Sequence, residues 1–187
     1  MFSSPFRGFS PDPTIEGVYG MIVAQARSPV FYRDYLVPDT VSGRFDMIVL
    51  HLVLALRRIR QLQPQANLPA LGQQIFDRFC RDMDDNFREM GIGDLTVPKE
   101  MKRVAEAFYG RAGVYETALN ANDETGLATA LARNVFGVEA VSSGPRRLAA
   151  YMDRAARKLE SQNPFAGKVE FPEPAEVPDQ SQGNNCG

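Results

Sequence analysis

The sequence predicts an all-α fold, a single domain of about six to seven helices packed around one buried helix. Residues 45–56 are apolar on every side except at Asp46 and His51, a pattern typical of a buried helix. A membrane span needs ~20 apolar residues, so we expect this shorter run to be buried in protein. Other segments carry apolar residues at helical spacing, and none alternates convincingly as a strand would.

Composition agrees with a globular domain and excludes several classes of protein. The chain has 187 residues, of which 44% are hydrophobic and 24% charged, and this length suffices for one core. The net charge of −2 does not favour DNA as a partner. Cys80 and Cys186 are too few and too separated for a disulfide framework or, with one histidine, a zinc site. We therefore expect no metal and no cofactor.

Proline and short polar side chains bound the predicted helices. Asp12 can accept a hydrogen bond from a first-turn amide, and Pro13 suits the first helical position. Asp39 or Ser42 is expected to cap the central helix, and Asp123 a later one. The predicted elements are an arm at 1–11, a helical domain at 12–162 with helices near 12–27, 30–36, 42–62, 70–90, 98–120, 124–136 and 145–161, and a tail at 163–187.

Glycines and the two chain ends add further expectations. Gly17 and Gly20 lie inside the first predicted helix, where they are expected to allow close packing. Gly110 and Gly113 weaken a later helix and predict a bend or a close helix contact. The tail is rich in proline and acid and has no helical period, so we expect it to be disordered or loosely docked, with residues 165–171 against the domain.

An acidic run in the helix at 70–90 leaves two interpretations open. Asp82 and Asp85 are three residues apart and could share Mg²⁺, as in helical enzymes that act on isoprenoids. Such enzymes need a second acidic cluster, and Asp123 with Glu124 lies in a loop. Nearby arginines favour an exposed, ion-paired face; they are Arg78, Arg81 and Arg88. The alternative function is a Mg-dependent enzyme acting on an isoprenoid or lipid.

Buried polar residues in the central helix need partners. His51 is the only histidine, and in an apolar segment we expect a hydrogen-bonded core residue more than a haem or metal ligand. Asp46 should be paired with Arg44 or with a residue of a neighbouring helix, because a buried carboxylate otherwise takes up a proton. Tyr109 is expected to be half-buried with its hydroxyl bonded.

Basic residues on two helices suggest a surface for an anionic membrane or for the ribosome. A solvated face is favoured, because acidic residues elsewhere compensate the charge. A peripheral membrane module using the helix at 145–161 is a third hypothesis. The residues of this predicted surface are Lys102, Arg103, Arg146, Arg147, Arg154, Arg157 and Lys158.

Long phrases of this sequence carry a family resemblance. They are 19–27 (YGMIVAQAR), 37–40 (VPDT), 43–46 (GRFD), 50–52 (LHL), 76–77 (FD), 82–91 (DMDDNFREMG), Asp94, and 99–111, which ends in AFYGR. In this order they resemble the ubiquinol–cytochrome c chaperone family, the assembly factors of the cytochrome bc1 complex. The resemblance covers roughly residues 15–140 and leaves the tail uncovered. The N-terminus has no signal-peptide or transit-peptide pattern, which is similar to the bacterial branch and implies a cytoplasmic protein.

The resemblance implies an all-helical domain without enzymatic activity. Mitochondrial members bind newly made cytochrome b and a small helical partner, and they associate with the ribosome near the tunnel exit. For this chain it implies a chaperone that holds cytochrome b, or another bc1 subunit, before assembly. Peripheral contact with the ribosome or the inner face of the inner membrane stays open. The polar family positions are candidates for client or partner binding: Arg44, Asp46, His51, Asp84, Asn86, Arg88, Lys99 and Tyr109.

Overall fold

A computed structural model describes residues 12–63 and 70–175 of the chain. The predicted arm at 1–11 and the end of the predicted tail lie outside these residues. Within them the chain forms helices and no strand, which confirms the predicted all-α class. The helices are α1 (Pro13–Ala26), α2 (Pro29–Arg33), α3 (Val41–Leu62), α4 (Ala70–Glu89), α5 (Val97–Ala121), α6 (Glu124–Asn134) and α7 (Ser143–Glu160), followed by a 3-10 turn (Pro164–Ala166).

Helix α3 is the buried centre of the fold. Its residues 46–56 and Ile59 are buried, and α1, α4, α5 and α7 all contact it. A helix that is apolar on all sides needs neighbours on all sides, because burial of apolar surface is the main stabilising term. The predicted central helix is therefore confirmed. In the part of the chain that the structure describes, no helix has the length and apolar character needed to cross a membrane.

The N-terminus of α3 is capped by a residue that the sequence did not single out. The Thr40 hydroxyl accepts a hydrogen bond from the Gly43 N–H at 3.1 Å. The predicted caps Asp39 and Ser42 are wrong. Asp39 lies one residue too early and accepts a hydrogen bond from Arg44 at 2.7 Å, and Ser42 is already inside the helix.

Caps of two other helices agree with the sequence. Asp12 accepts a hydrogen bond from the Thr14 N–H at 2.8 Å, at the start of α1. Asp123 accepts one from the Gly126 N–H at 2.8 Å, at the start of α6. Each cap satisfies a first-turn donor that the helix itself leaves free. Both predictions are confirmed.

Of the four glycines that the sequence analysis singled out, Gly17 is the one at which another part of the chain packs closely. A Cβ atom at Gly17 would lie 2.6 Å from the carbonyl oxygen of Gly167, so the chain after α7 crosses α1 there. At Gly20, Gly110 and Gly113 an added Cβ would meet no atom within 4 Å. The predicted close packing at Gly20 is wrong, because an added Cβ there would face open space. For the same reason the close-contact alternative is wrong at Gly110 and Gly113, where a bend stays a prediction.

After α7 the chain folds back over the domain as an extended segment. We call residues 164–175 the C-terminal strap. It begins with the 3-10 turn, and Gly167 then turns the chain with a left-handed φ of 79°, a conformation that glycine adopts without steric cost. Beyond it, Val169 is 2% exposed and Phe171 is 8% exposed. The first part of the predicted tail is thus packed against α1 and α7.

Candidate functional site

A groove of about 750 Å³ lies between the first turns of α3, the second half of α4 and the first half of α5. We call it the open groove. Two apolar side chains at its edge are largely in solvent, since Val41 is 75% exposed and Met90 is 55% exposed. Clustered exposed apolar side chains in a concavity are typical of binding surfaces. The apolar residues of its floor and walls are Phe45, Ile48, Met83, Phe87, Val104 and Ala107.

Arginine side chains surround this apolar floor. Arg44 lies beside the groove with its guanidinium 5.7 Å from the ring centre of Tyr32. Arg103 on the α5 side donates a hydrogen bond to Glu100 at 2.7 Å. Arg27 at the end of α1 is exposed. The groove therefore combines an apolar floor with a mixed rim, on which three arginines lie beside the acidic residues Asp82 and Glu100.

Among the predicted client-binding residues, the groove brings together Arg44 and Asn86. Asn86 donates a hydrogen bond to the Asp82 carbonyl at 2.6 Å. Asp84 and Arg88 do not line the groove. Arg88 instead pairs with Asp84 at 2.7 Å and with Asp94 in the loop that follows α4. These two residues fasten that loop to α4.

Lys99 and Tyr109 lie on the outer surface of α5. Lys99 is exposed in the first turn. Tyr109 is 61% exposed, so the prediction that it is half-buried is wrong. Its ring stands 5.7 Å from the ring of Phe76 and leaves its other face in solvent. Neither residue lines the open groove.

Asp46 is a buried carboxylate behind the groove wall. It is 3% exposed and pairs with Arg111 of α5 at 2.7 Å, so the predicted partner on a neighbouring helix is confirmed. Burial raises the pKa of Asp46 from 3.8 to about 6, although Arg111 acts in the opposite direction. The Arg111 guanidinium also lies 5.9 Å from the ring centre of Phe45. The pair thus ties α3 to α5 beside a groove-lining ring.

His51 is enclosed in the core with both ring nitrogens engaged. Its Nδ1 lies 2.7 Å from the Met47 carbonyl oxygen, and its Nε2 lies 2.8 Å from the Tyr151 hydroxyl. A carbonyl can only accept, so Nδ1 carries the proton and Nε2 accepts from Tyr151. Burial lowers the pKa of His51 from 6.5 to about 4, which keeps the imidazole neutral at pH 7. The predicted hydrogen-bonded core histidine is confirmed.

The acidic run on α4 is bound by groups of the protein itself. Asp82 accepts a hydrogen bond from the Tyr19 hydroxyl at 2.8 Å and lies 3.7 Å from Arg78. Burial and the Asp82 carboxylate both raise the pKa of Tyr19, so its hydroxyl stays a donor. Asp85 is exposed. The favoured prediction of an ion-paired face is confirmed, and residues 12–63 and 70–175 hold no cluster of three or more potential metal ligands.

Predicted basic residues are mostly engaged within the molecule. Arg146 and Arg154 are exposed on α7. The others bind groups of the chain itself: Lys102 pairs with Glu106, Arg103 with Glu100, Arg157 with Asp153, while Arg147 donates to the Asp34 carbonyl and Lys158 to the Phe171 carbonyl. A contact of this surface with a membrane or a ribosome stays a prediction.

Sequence reasoning missed the apolar residues that form the open groove. Met90 continues the apolar stripe of α4 directly after the helix ends at Glu89, yet it is 55% exposed. Val41 lies in the first turn of α3, ahead of the apolar run at 45–56 that predicts burial. Met90 and Val41 both lie where apolar residues continue past the part of the helix that its neighbours cover. These additional apolar residues were the available signal in the sequence.

Together the fold and the groove define a helical protein with a surface suited to binding another apolar chain. The sequence profile of the ubiquinol-cytochrome C chaperone family matches residues 33–165, and the chain belongs to this family. The matched segment contains every residue of the open groove except Arg27. Proteins of this family are chaperones and assembly factors, not enzymes. The predicted family is confirmed.

Two relatives indicate how far the similarity extends. The chain is 40% identical to the Cbp3 homolog from Brucella abortus, whose crystal structure it resembles with a TM-score of 0.75 over 86% of this chain and 89% of that one. It is 24% identical over 130 residues to ubiquinol-cytochrome-c reductase complex assembly factor 1 from Xenopus laevis, a match over 70% of this chain. The chain spans 62% of the length of that relative.

Proposed function

We propose that this protein is an assembly chaperone of the cytochrome bc1 complex and that its open groove binds newly made cytochrome b, or another bc1 subunit, before assembly. The observation that carries the proposal is the position of the groove inside the family-matched residues 33–165. The name of the Xenopus relative, an assembly factor of the ubiquinol–cytochrome c reductase complex, supports the choice of complex.

The chemistry of the groove suits such a client. A subunit with several membrane-spanning helices exposes apolar helix faces before it is inserted and assembled. An apolar groove between helices binds one face of an amphipathic or apolar helix. Met83 and Met90 at this groove have flexible, polarisable side chains that adapt to different partners. The arginines of the rim would then lie next to the polar end of the bound helix.

Affinity capture from membranes tests this proposal, with two variants matched in chemistry. Val41→Asp places a charge in the groove at a first-turn position where an acid is favourable to the helix. Val138→Asp places the same charge at a position that is 43% exposed and outside the groove. We expect the wild type and Val138→Asp to recover cytochrome b, and Val41→Asp to recover at least ~10-fold less, because the new carboxylate would lose water against an apolar client.

Two outcomes would contradict the proposal. One is equal recovery of cytochrome b with both variants, which would move the client away from the groove. The other is recovery of no bc1 subunit together with normal bc1 levels in a deletion strain, which would reject the assembly role itself.

The proposal also includes the other partners that the family resemblance implies. They are a small helical protein and a peripheral contact with the ribosome or the inner face of the bacterial inner membrane, reached from the cytoplasm. Exposed Arg146 and Arg154 on α7 support an electrostatic contact of this kind. Flotation with anionic liposomes at moderate salt tests the membrane part, and loss of flotation in the double variant Arg146→Gln, Arg154→Gln is the expected result.

A further inference from the structure

The C-terminal strap is held mainly by side chains of the helices and of the residues just after them, and not by a backbone ladder. Gln162 binds the main chain of Glu170 twice, since its Oε1 accepts from the N–H at 2.7 Å and its Nε2 donates to the carbonyl at 2.8 Å. The Val169 N–H lies 3.3 Å from the Met21 sulfur. The strap's next contacts are Lys158 Nζ to the Phe171 carbonyl, Gln25 Nε2 to the Pro172 carbonyl and the Ala175 N–H to the Tyr35 hydroxyl, each at 3.0 Å.

Side chains of the strap alternate between buried and exposed positions. Val169, Phe171 and Pro174 are buried, whereas Glu170 and Glu173 are exposed. From Lys168 to Phe171 the alternation has the two-residue period of an extended chain whose one face meets a surface, whereas the buried Pro174 lies off this period. The strap therefore contacts the domain as a bound peptide would.

Phe171 fills the central pocket of this surface. Its ring stands perpendicular to the His51 ring, with 4.9 Å between the ring centres. His51 is held in place by Tyr151, and Gln25 donates a hydrogen bond to the same tyrosine hydroxyl at 3.0 Å. Gln25 thus connects the main chain of the strap to the polar groups beneath Phe171. We call the Phe171 pocket together with these main-chain contacts the channel.

Main-chain contacts combined with pockets for alternate side chains are the way peptide-binding proteins hold extended peptides. We propose that this channel is a peptide-binding site, which the chain occupies with its own residues 168–175. Its ligand is an extended segment with an apolar residue at the first position, phenylalanine at the third, and proline at the fourth and sixth. In this chain these positions are Val169, Phe171, Pro172 and Pro174. When the strap is released, a segment of this pattern from another chain occupies the channel.

Two observations indicate that the strap is separable from the domain. Residues 168–175 belong to no helix, so their release requires no helix to unfold. The family-matched segment ends at residue 165. The channel and the open groove share no lining residue, so this inference does not rest on the proposed function. Because a short tether gives the strap an effective concentration of ~mM, a free peptide must compete with it.

Hydrogen exchange of the full-length protein tests whether the strap opens on its own. Backbone N–H groups of Val169, Glu170 and Ala175 are bonded only to side chains. We expect them to exchange at least ~10-fold faster than the amides of Leu50 and Leu52 in α3, because they open without global unfolding. Exchange of both sets at the same rate would overturn the proposal, since the strap would then open only when the domain unfolds.

Peptide binding in trans is the second measurement. The probe is a fluorescent peptide with the sequence of residues 168–175 (KVEFPEPA), and the protein is the full chain carrying Phe171→Ala, which weakens the internal competitor. We expect this variant to bind the probe at least ~10-fold more tightly than the wild type does. A probe peptide carrying the same Phe171→Ala change is the matched control and should not bind. A folded Phe171→Ala protein that does not bind the probe would overturn the proposal.

A second variant keeps the test decisive if Phe171→Ala does not fold. Tyr35→Phe removes the acceptor of the Ala175 N–H and retains the ring that packs 5.4 Å from Phe31. Faster exchange at Ala175 together with binding of the probe would support the proposal. Wild-type exchange and no binding would overturn it.

Discussion

Two regions that both include residues of α3 differ in how far their apolar side chains are exposed to solvent. The aromatic chamber, formed by Phe31, Tyr35, His51, Tyr151 and Phe171, encloses every ring and engages both imidazole nitrogens. In the open groove, Val41 at the start of α3 is 75% exposed, and Met90 just after α4 is 55% exposed. Clusters of exposed apolar side chains lower the solubility of a protein. They are therefore typical of surfaces that bind a partner. We infer that the helix-borne rings of the chamber and its histidine stabilise the fold, that Phe171 joins them from the strap, and that the open groove is the client-binding surface.

The largest expected difference between the two regions is in stability. Phe31 is fully buried, and its ring lies 4.8 Å from Tyr151 and 5.5 Å from His51. Phe31→Ala should lower the free energy of unfolding by ~3–5 kcal/mol, since it leaves a cavity among rings that cannot collapse. Phe87→Ala in the groove removes the same atoms from a partly exposed site and should cost less than ~2 kcal/mol. Urea denaturation compares them, and equal losses would remove the distinction.

The pH dependence of stability provides a second comparison, between His51 in the chamber and Asp46 behind the groove wall. His51 has a folded pKa of about 4 against 6.5 in the unfolded chain, so the unfolded state binds its proton first. As the pH falls from 6.5 to 4, this group alone lowers the free energy of unfolding by ~3 kcal/mol. Asp46 has the opposite sign, because its pKa rises to about 6. It stabilises the fold below pH 3.8, and this contribution is lost as the pH rises through 6.

Replacing the carboxylate separates these two contributions. In the wild type they oppose each other between pH 4 and 6, so acidification should destabilise the protein only weakly there. Asp46→Asn removes the opposing group, and its free energy of unfolding should fall more steeply between pH 6.5 and 4.5 than that of the wild type. Urea denaturation at both values measures this, with the difference between the two pH values, not the absolute stability, as the result. Equal pH dependence in both proteins would contradict the assignment.

A smaller effect is expected from one hydroxyl of the chamber. Tyr151 donates to His51 Nε2 at 2.8 Å and accepts from Gln25 at 3.0 Å. Tyr151→Phe leaves the buried imidazole nitrogen without a donor and should cost ~1–3 kcal/mol. Tyr109→Phe makes the same chemical change at a residue that is 61% exposed, and its effect should stay within ~0.5 kcal/mol. Thermal denaturation of both proteins distinguishes them, and similar shifts would argue against a structural role for the Tyr151 hydroxyl.

The sequence predicts the enclosed region better than the open one. An apolar run on all sides of α3 requires burial, and burial in turn requires partners for His51 and Asp46. The identities of those partners could not be predicted, because Tyr151 and Arg111 are distant in sequence and periodicity does not say which helices meet. The exposure of Met90 could not be predicted for a related reason: an apolar stripe has the same period whether or not another helix covers it. The strap has no helical period, so the sequence indicated that residues 165–171 dock on the domain but not which side chains hold them.

Substitutions of exposed groove residues should change the free energy of unfolding least. The same substitutions should reduce the capture of bc1 subunits most. Met90 and Leu95 are both exposed, at 55% and 98%, and only Met90 lines the groove. Met90→Ser and Leu95→Ser should each alter the free energy of unfolding by less than ~0.5 kcal/mol, because neither side chain is packed in the core. Capture of bc1 subunits should fall ~10-fold for Met90→Ser, which corresponds to ~1.4 kcal/mol of binding free energy, and should not change for Leu95→Ser. Equal capture by both variants would show that exposed apolar surface near α4 is not specific to the groove, and the contrast with the chamber would then lose its functional meaning.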